Sequence, residues 1–419
     1  MQILVRLAAA LALVMAATGA AFGQATAADT APKVTIYGTI VANGAFSDAQ
    51  LFISDIPVWA VQSETLLAPP AIGGQQPGTL LAGDATVFEA TARQSRFGLR
   101  VEVPAGKSRW TPTGQVEIDF FGARPASGHG AVFNQPRIRL ALVSLAHSSG
   151  WALVAGQDWA IFAPANPTSF AHYAVPMAAS GGNPWMRLPQ FRLQKASRMG
   201  GSKTLLVQVA ALRPTGGGDS PTAGSLADPV ALSGERSGVP FVQARAALNG
   251  VSSGRPNAIG VSAHYGREKA EPQTLTTWGV AVDGSVAVGS KAAITGEWWR
   301  GENLDTFQAG VNQGVTQRFG TFSSLKATGG WAQVSIFATS SVTFNGGYGL
   351  DDPEDAALTP LVTRAKNQVV WANLMVKPHA NVTLAFEYNR FDTTFRTSAS
   401  SPERKGTGNH ANLAVVLTF

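Results

Sequence analysis

Along most of this chain apolar and polar residues alternate one for one, the periodicity of a strand whose two faces meet different surroundings. Between Gln94 and Val103 one face carries Gln94, Arg96, Gly98, Arg100 and Glu102, and the other Ser95, Phe97, Leu99, Val101 and Val103. Gln115, Glu117 and Asp119 alternate with Val116, Ile118 and Phe120, and Arg137 and Arg139 with Ile138, Leu140 and Leu142. Near the C-terminus Thr383, Ala385, Glu387 and Asn389 interleave with Val382, Leu384, Phe386 and Tyr388. The periodicity predicts sixteen strands. They begin near Val34, Ala92, Gly114, Arg137, Trp151, Gln190, Lys203, Phe241, Ala258, Thr276, Ala292, Gly330, Val342, Gln368, Val382 and Asn409.

The connections alternate as well. Long segments fall at about residues 45–90, 122–136, 160–189, 213–240, 301–328, 351–366 and 393–408, with a modest one at 267–273. Short turns lie between them, at 104–113, 147–150, 196–202, 249–256, 289–290, 339–341 and 377–381. Gly201-Ser202-Lys203-Thr204 superficially resembles a phosphate loop, but its order is wrong and it falls in one of the short turns. Alternating long and short connections suit an antiparallel transmembrane barrel with long external loops and short periplasmic turns. A soluble β-sandwich has no reason to show such parity.

Composition sharpens this. Charged residues make up 14% of the 419 residues, against about 25% in an ordinary soluble domain. No stretch after the N-terminal region reaches the roughly 18–20 apolar residues of a membrane helix. Strands with one lipid-facing side distribute apolar surface in this way. Cysteine is absent, so stability has to come from something other than disulfides, such as a closed ladder of backbone hydrogen bonds. The formal charge of +6 is dispersed without a basic run, which argues against nucleic-acid binding.

At the N-terminus Arg6 precedes an apolar run from Leu7 to Ala17, and Ala21 and Gly23 have the spacing of a cleavage site. Residues 1–23 are read as a signal peptide, with a cut near Ala27 as the rival, residues 24–33 as a short periplasmic segment and 34–419 as the barrel. In the last strand Asn412, Ala414, Val416 and Thr418 alternate with Ala411, Leu413, Val415, Leu417 and Phe419. Phe419 is expected in the periplasmic aromatic girdle, and a terminal aromatic on an amphipathic strand resembles the assembly signal of bacterial outer-membrane barrels. Trp278, Trp298, Trp331, Tyr265, Tyr348 and Tyr388 are further belt candidates.

Several segments resemble the DcaP-like outer-membrane porins. They are Ser95-Arg96-Phe97-Gly98, Glu117-Ile118-Asp119-Phe120-Phe121-Gly122, Pro136-Arg137-Ile138-Arg139, Ala155-Gly156-Gln157-Asp158-Trp159 and Leu188-Pro189-Gln190-Phe191-Arg192, together with the Phe419 end. The order and spacing of these segments carry the resemblance, most densely over residues 90–195. It implies a homotrimer that takes up small anionic compounds such as dicarboxylates. A helical extension with heptads often precedes the first strand in that family, and the ten or so residues before Val34 leave no room for one.

A sixteen-stranded barrel is wide enough for an aqueous channel. Arg96, Arg100, Arg137, Arg139, Arg192 and Arg245 fall on polar faces and are expected to point inward, as are Glu117 and Asp119. An arginine on the lipid side would cost about 2–4 kcal/mol at the bilayer midplane. Two readings stand side by side: an arginine-lined constriction that attracts carboxylates, and arginines that pair with strand acids to stiffen the wall. Arg137, Arg139 and Arg192 are expected near the external mouth, and Arg96 and Arg100 nearer mid-height. The segment at 160–189, with Asn166, His172, Tyr173, Asn183, Trp185 and Arg187, is the candidate inward loop. The first long loop, with Trp59 and Pro69-Pro70, competes with it and could instead reach a neighbouring subunit. Asp351, Asp352, Glu354 and Asp355 could together hold Ca²⁺ or simply be a solvated acidic loop, the commoner case.

Catalytic motifs are missing: there is no Gly-x-Ser-x-Gly elbow and no His-Glu-x-x-His, and the six histidines lack metal spacing. The sequence therefore predicts a passive outer-membrane channel for small polar, anionic solutes, surrounded by lipid and working without metal or cofactor. A soluble exported β-rich binding protein and an outer-membrane hydrolase are the alternatives.

Overall fold

The structure, a computed structural model, describes residues 31–67, 80–122, 132, 134–216, 231–270, 272–360 and 362–419. The expected signal peptide (1–23), most of the segment after it and Pro69-Pro70 lie outside the described residues.

One sheet closes on itself. The first strand, β1 (Lys33–Ser47), pairs along one edge with two segments, Val87–Thr91 and Arg96–Glu102, the two halves of a single interrupted strand, β2. The chain continues through β3 (Trp110–Asp119), β4 (Arg137–His147), β5 (Trp151–Trp159), β6 (Arg187–Gly200), β7 (Lys203–Leu212) and β8 (Phe241–Ser252). It goes on through β9 (Arg255–Ala270), β10 (Gln273–Val288), β11 (Ala292–Glu302), β12 (Lys326–Phe337), β13 (Val342–Pro353), β14 (Arg364–His379), β15 (Val382–Phe395) and β16 (Arg404–Thr418). Each pairs antiparallel with its neighbours, and β16 returns to β1 with Thr39 opposite Thr418 and Ser47 opposite His410. All sixteen expected strands are present, and closure leaves the main sheet no edge, so every strand finds partners on both sides.

The faces follow the alternation in the sequence. On β16 Leu413, Val415 and Leu417 are 45%, 48% and 42% exposed, while Asn412, Ala414 and Val416 between them are buried. The same exterior band of large apolar residues recurs as Ile259 and Val261 on β9, Val280 and Val282 on β10, and Val334 and Ile336 on β12. A soluble binding protein would bury these residues; a barrel in lipid must expose them. Val282→Arg is therefore expected to cost about 2–4 kcal/mol in urea unfolding from lipid vesicles. A loss no larger than that at an exposed polar position would contradict a lipid-facing exterior.

Four expectations need correcting. The alternation Ile138, Leu140, Leu142 breaks at a bulge opposite Glu117–Ile118. The extra residue shifts the phase, so Leu140 is buried and Val143 and Leu145 take the outer face. The modest loop at 267–273 is ladder instead, up to Ala270 opposite Gln273: the strands run on although their residues have turned polar. Trp331 is buried, unlike the exposed Trp298, Tyr265, Tyr348 and Tyr388, because it lies on the inner face against Trp371 with ring centroids 6.4 Å apart. Asp351 and Asp352 sit in β13 rather than in a loop. As expected, Gly201 and Ser202 form a tight turn.

Phe419 closes the ladder by exchanging backbone hydrogen bonds with Gly38, at 2.9 and 3.1 Å. Its ring covers Gly38 and lies 5.9 Å from the ring of Phe97. A Cβ at Gly38 would come within 2.6 Å of the Phe419 ring, so this glycine makes room for the terminal aromatic.

Candidate functional site: an arginine cluster beside an inward loop

β3, β4 and β5 are short, at 10, 11 and 9 residues, while β9, β10 and β14 have 16 each. From the top of this low wall the segment at 160–186 leaves β5 and travels round the inner face. Its backbone N–H groups are taken up by wall side chains in succession. Ile161 and Phe162 donate to Gln243 Oε1 on β8 at 2.9 and 3.2 Å, and Ala163 donates to Ser262 Oγ on β9 at 3.1 Å. Ala165 donates to Glu297 Oε2 on β11 at 3.2 Å and Thr168 to Gln333 Oε1 on β12 at 3.0 Å. Ser169 Oγ donates to Glu387 Oε1 on β15 at 2.6 Å. Tyr173 and Ala174 both donate to Gln94 Oε1 beside β2, at 2.7 and 2.8 Å. A loop without secondary structure of its own satisfies its peptide groups by borrowing amides and carboxylates from the polar face of the strands.

Apolar packing completes the seat. Ile161 and Phe162 join Leu188, Leu212, Phe241, Trp299 and Phe307, and Met177 joins Leu51, Trp331, Trp371 and Phe391. Two other external connections take part. Ile56, Val58 and Trp59 from the first pack with Val175, Trp185 and, from the connection after β11, Val311. Asn367 Nδ2 holds the Val58 carbonyl at 2.8 Å. The described part of the first loop thus folds into the same mouth as its expected competitor.

The loop approaches the wall closely at Gly182, whose carbonyl accepts from Trp299 Nε1 at 2.9 Å. Its φ is +109°, and a Cβ would come within 2.2 Å of the Gly330 carbonyl oxygen. Gly182→Val should leave the barrel folded, but a strain of about 1–3 kcal/mol should unseat the loop and open it to an added protease. Unchanged resistance would contradict this seating.

Beside the start of the loop lies the basic cluster. The register sets Arg96 opposite Asp119 and Asp119 opposite Arg137, so these three share one row. Arg100, expected near mid-height, is opposite Thr35 near the start of β1, toward the periplasmic end, and is exposed. Arg137 grips Asp119 through two nitrogens at 3.1 and 2.7 Å. Arg139 is 1% exposed and holds Glu117 at 2.7 Å and Asp119 at 3.1 Å. Arg192 pairs with Asp158 at 2.8 Å, and Arg245 with Asp283. For these four the pairing with strand acids is real, and at the mouth Arg93 binds Asp55 in a separate pair.

Arg96 and Arg187 differ. Neither makes an ion pair among the described residues. Arg96 lies 3.5 Å over the Tyr173 ring and donates to the Tyr173 carbonyl. Arg187 is 8% exposed, 4.8 Å from the Trp159 ring and 5.1 Å from that of Trp185, with Nη1 unpartnered. Four arginines (Arg96, Arg137, Arg139, Arg187) thus face two acids (Glu117, Asp119), an excess of two positive charges. Asn166 and Asn183 bond each other within the loop at 3.2 Å.

The acidic cluster does not converge. Asp351 turns inward and accepts the Val311 N–H at 3.0 Å; Asp352 pairs with Lys366, Glu354 with Arg300 and Asp355 with Arg396. The loop anchors Gln243, Ser262, Glu297, Gln333 and Glu387 escaped sequence reasoning. Each is one polar residue among many on an inner face, and nothing local marks which will meet the loop.

Sixteen antiparallel strands closed around a polar interior, with an apolar exterior and a long loop folded inside, are the architecture of an outer-membrane porin. In fold the chain is similar to the outer membrane channel DcaP of Acinetobacter baumannii, at 18% identity and a TM-score of 0.64 over 95% of this chain and 99% of that one. It is also similar to the anion-selective porin of Comamonas acidovorans, at 13% identity and a TM-score of 0.55 over 93% of this chain and 100% of that one. Salmonella typhi OmpF follows at 11% identity and a TM-score of 0.53, over 92% of this chain and 97% of that one. No protein-family model matches the chain, and no curated protein matches it significantly.

Proposed function

We propose that this protein is a passive diffusion channel for small anionic, carboxylate-bearing solutes, exported by a signal peptide at residues 1–23 and assembled as a homotrimer. The observation that carries the anionic reading is the excess positive charge at the inward loop, where Arg96 and Arg187 have no acidic partner among the described residues. The partly exposed Arg96 guanidinium is the site a carboxylate meets, and the buried Arg187 adds its charge to the same field. Arg137, Arg139, Arg192 and Arg245 shape the lumen while held by Asp119, Glu117, Asp158 and Asp283. Arg100 adds charge toward the periplasmic end. Asn166, His172, Tyr173, Trp185 and Arg187 narrow the path, and Phe419 is the assembly signal. The anion selectivity of the Comamonas porin is in keeping with this, and a homotrimer is what the resemblance to DcaP-like porins implies.

The mechanism is electrostatic. A ring of arginine in a pore raises the local anion concentration and lowers that of cations, with no conformational cycle and no cofactor. The test is the reversal potential in a planar bilayer under a salt gradient. An anion-selective sign is expected; a cation-selective sign would overturn the solute class.

A further inference from the structure

One residue of the inward loop packs a titratable ring against the wall with no hydrogen-bond partner among the described residues. His172 is 4% exposed, its ring lies 6.3 Å from that of Phe391, and neither ring nitrogen has a hydrogen-bond partner. Its backbone N–H donates to Ser169 Oγ at 2.9 Å, and that hydroxyl donates to Glu387 Oε1 at 2.6 Å. The loop is therefore keyed to the wall twice here, by a bonded peptide and by an imidazole packed in as an apolar plug.

The charged and titratable groups around the plug are already engaged. From β15, Glu387 also lies 3.4 Å from Asn373 Nδ2. The first loop brings Asp55, locked in a two-toothed pair with Arg93 at 2.6 and 2.5 Å. Beside the loop, Arg96 is positive and lies over the neighbouring Tyr173 ring. From β16 comes His410, whose Nδ1 lies 3.0 Å from Ser47 Oγ and whose Nε2 has no partner. A charged imidazole in this seat would have no free carboxylate and a second histidine nearby.

We propose that His172 is an acid-sensitive latch: protonation of its ring expels the segment around Ser169–Tyr173 from the wall into the lumen and closes the channel. The proposal rests on the channel reading. Burial away from water holds the imidazole well below its ordinary value, and His410 adds to this. The released loop takes up its proton near the usual value of about 6.5. The latch is thus at full strength above about that pH and weakens as the pH falls, by about tenfold in the latched-to-released ratio per pH unit for one proton.

Single-channel recordings of the full chain between about pH 7.5 and 4.5 test it, with His172→Gln as the variant that keeps the shape and cannot be protonated. The parent is expected to close progressively below about pH 6 and His172→Gln to stay open. A parent whose conductance ignores pH, or a variant that closes as the parent does, overturns the latch. If no channel is seen even at neutral pH, the channel reading itself fails instead. Should His172→Gln not fold, the absence of native cysteine allows a second test. Asn43 Nδ2 reaches the Phe170 carbonyl at 3.0 Å, so Asn43→Cys with Phe170→Cys ties loop to wall. The oxidised form should remain open in acid and regain acid closure on reduction; acid closure of the cross-linked form overturns the proposal.

Discussion

Replacing Arg96 and Arg187 together with glutamine is expected to abolish the proposed preference for anions. In the parent the cluster holds four arginines against Glu117 and Asp119; in the double variant only Arg137 and Arg139 remain, both bound to those acids, and the excess charge falls to zero. A charge roughly 8 Å from a passing ion, at an effective dielectric constant of roughly 20–40, is worth about 1–2 kcal/mol. Loss of two should therefore lower the anion-to-cation ratio by at least about tenfold. Reversal potentials measure it directly. Lysine at both positions should restore most of the selectivity, since point charge suffices for attraction, but not the block by dicarboxylates, which need the planar fork. A double glutamine variant as selective as the parent would move the origin of selectivity elsewhere.

Arg139 behaves otherwise. It is buried between two carboxylates, and Arg139→Gln would leave Glu117 without its cation and Asp119 with Arg137 alone, a loss of about 3–5 kcal/mol of the kind seen when one partner of a buried pair is removed. Its variants report on stability before selectivity, which is why Arg96 and Arg187 are the informative pair.

Deleting residues 163–183 is expected to raise single-channel conductance severalfold while leaving the barrel intact. The wall does not depend on the loop: its ladder closes through backbone pairs and its outer face is held by lipid. What the loop does is cover Glu297 and Glu387, whose carboxylates accept from Ala165 and Ser169. Without it both acids stand in a wide aqueous lumen and become hydrated charges. Conductance rises and anion preference weakens in the same variant. Single-channel recording reads both, and a conductance equal to the parent's would mean that residues 163–183 do not narrow the path.

The barrel was legible because its physics is local. A strand in a wall between water and lipid must alternate, and Val382 to Asn389 or Asn412 to Phe419 show their two faces with no knowledge of their neighbours. Features that depend on a neighbour were not legible. The bulge opposite Glu117–Ile118, which re-aims Leu140, belongs to a pair of strands and not to either sequence. Trp331 reads as an interface tryptophan, yet its position in β12 puts it on the inner face, where Trp371 and the loop give it a dry site. Polar Arg267 to Ala270 ended the alternation without ending the ladder, because pairing continues wherever both strands have backbone to offer. The arginines were recognised as inward residues, but which had an acid opposite was a matter of register. Arg137 meets Asp119 because the two are cross-strand partners, whereas Arg187 meets two tryptophans.

The claim beneath all of this is that lipid touches the exterior of the wall and ions cross its interior. Adding the detergent-purified protein to a planar bilayer tests it most directly. Stepwise, ohmic increases in current are predicted, one per inserted unit, with reversal toward the anion potential under a salt gradient. A chain that stays soluble without detergent and leaves the bilayer silent would contradict it.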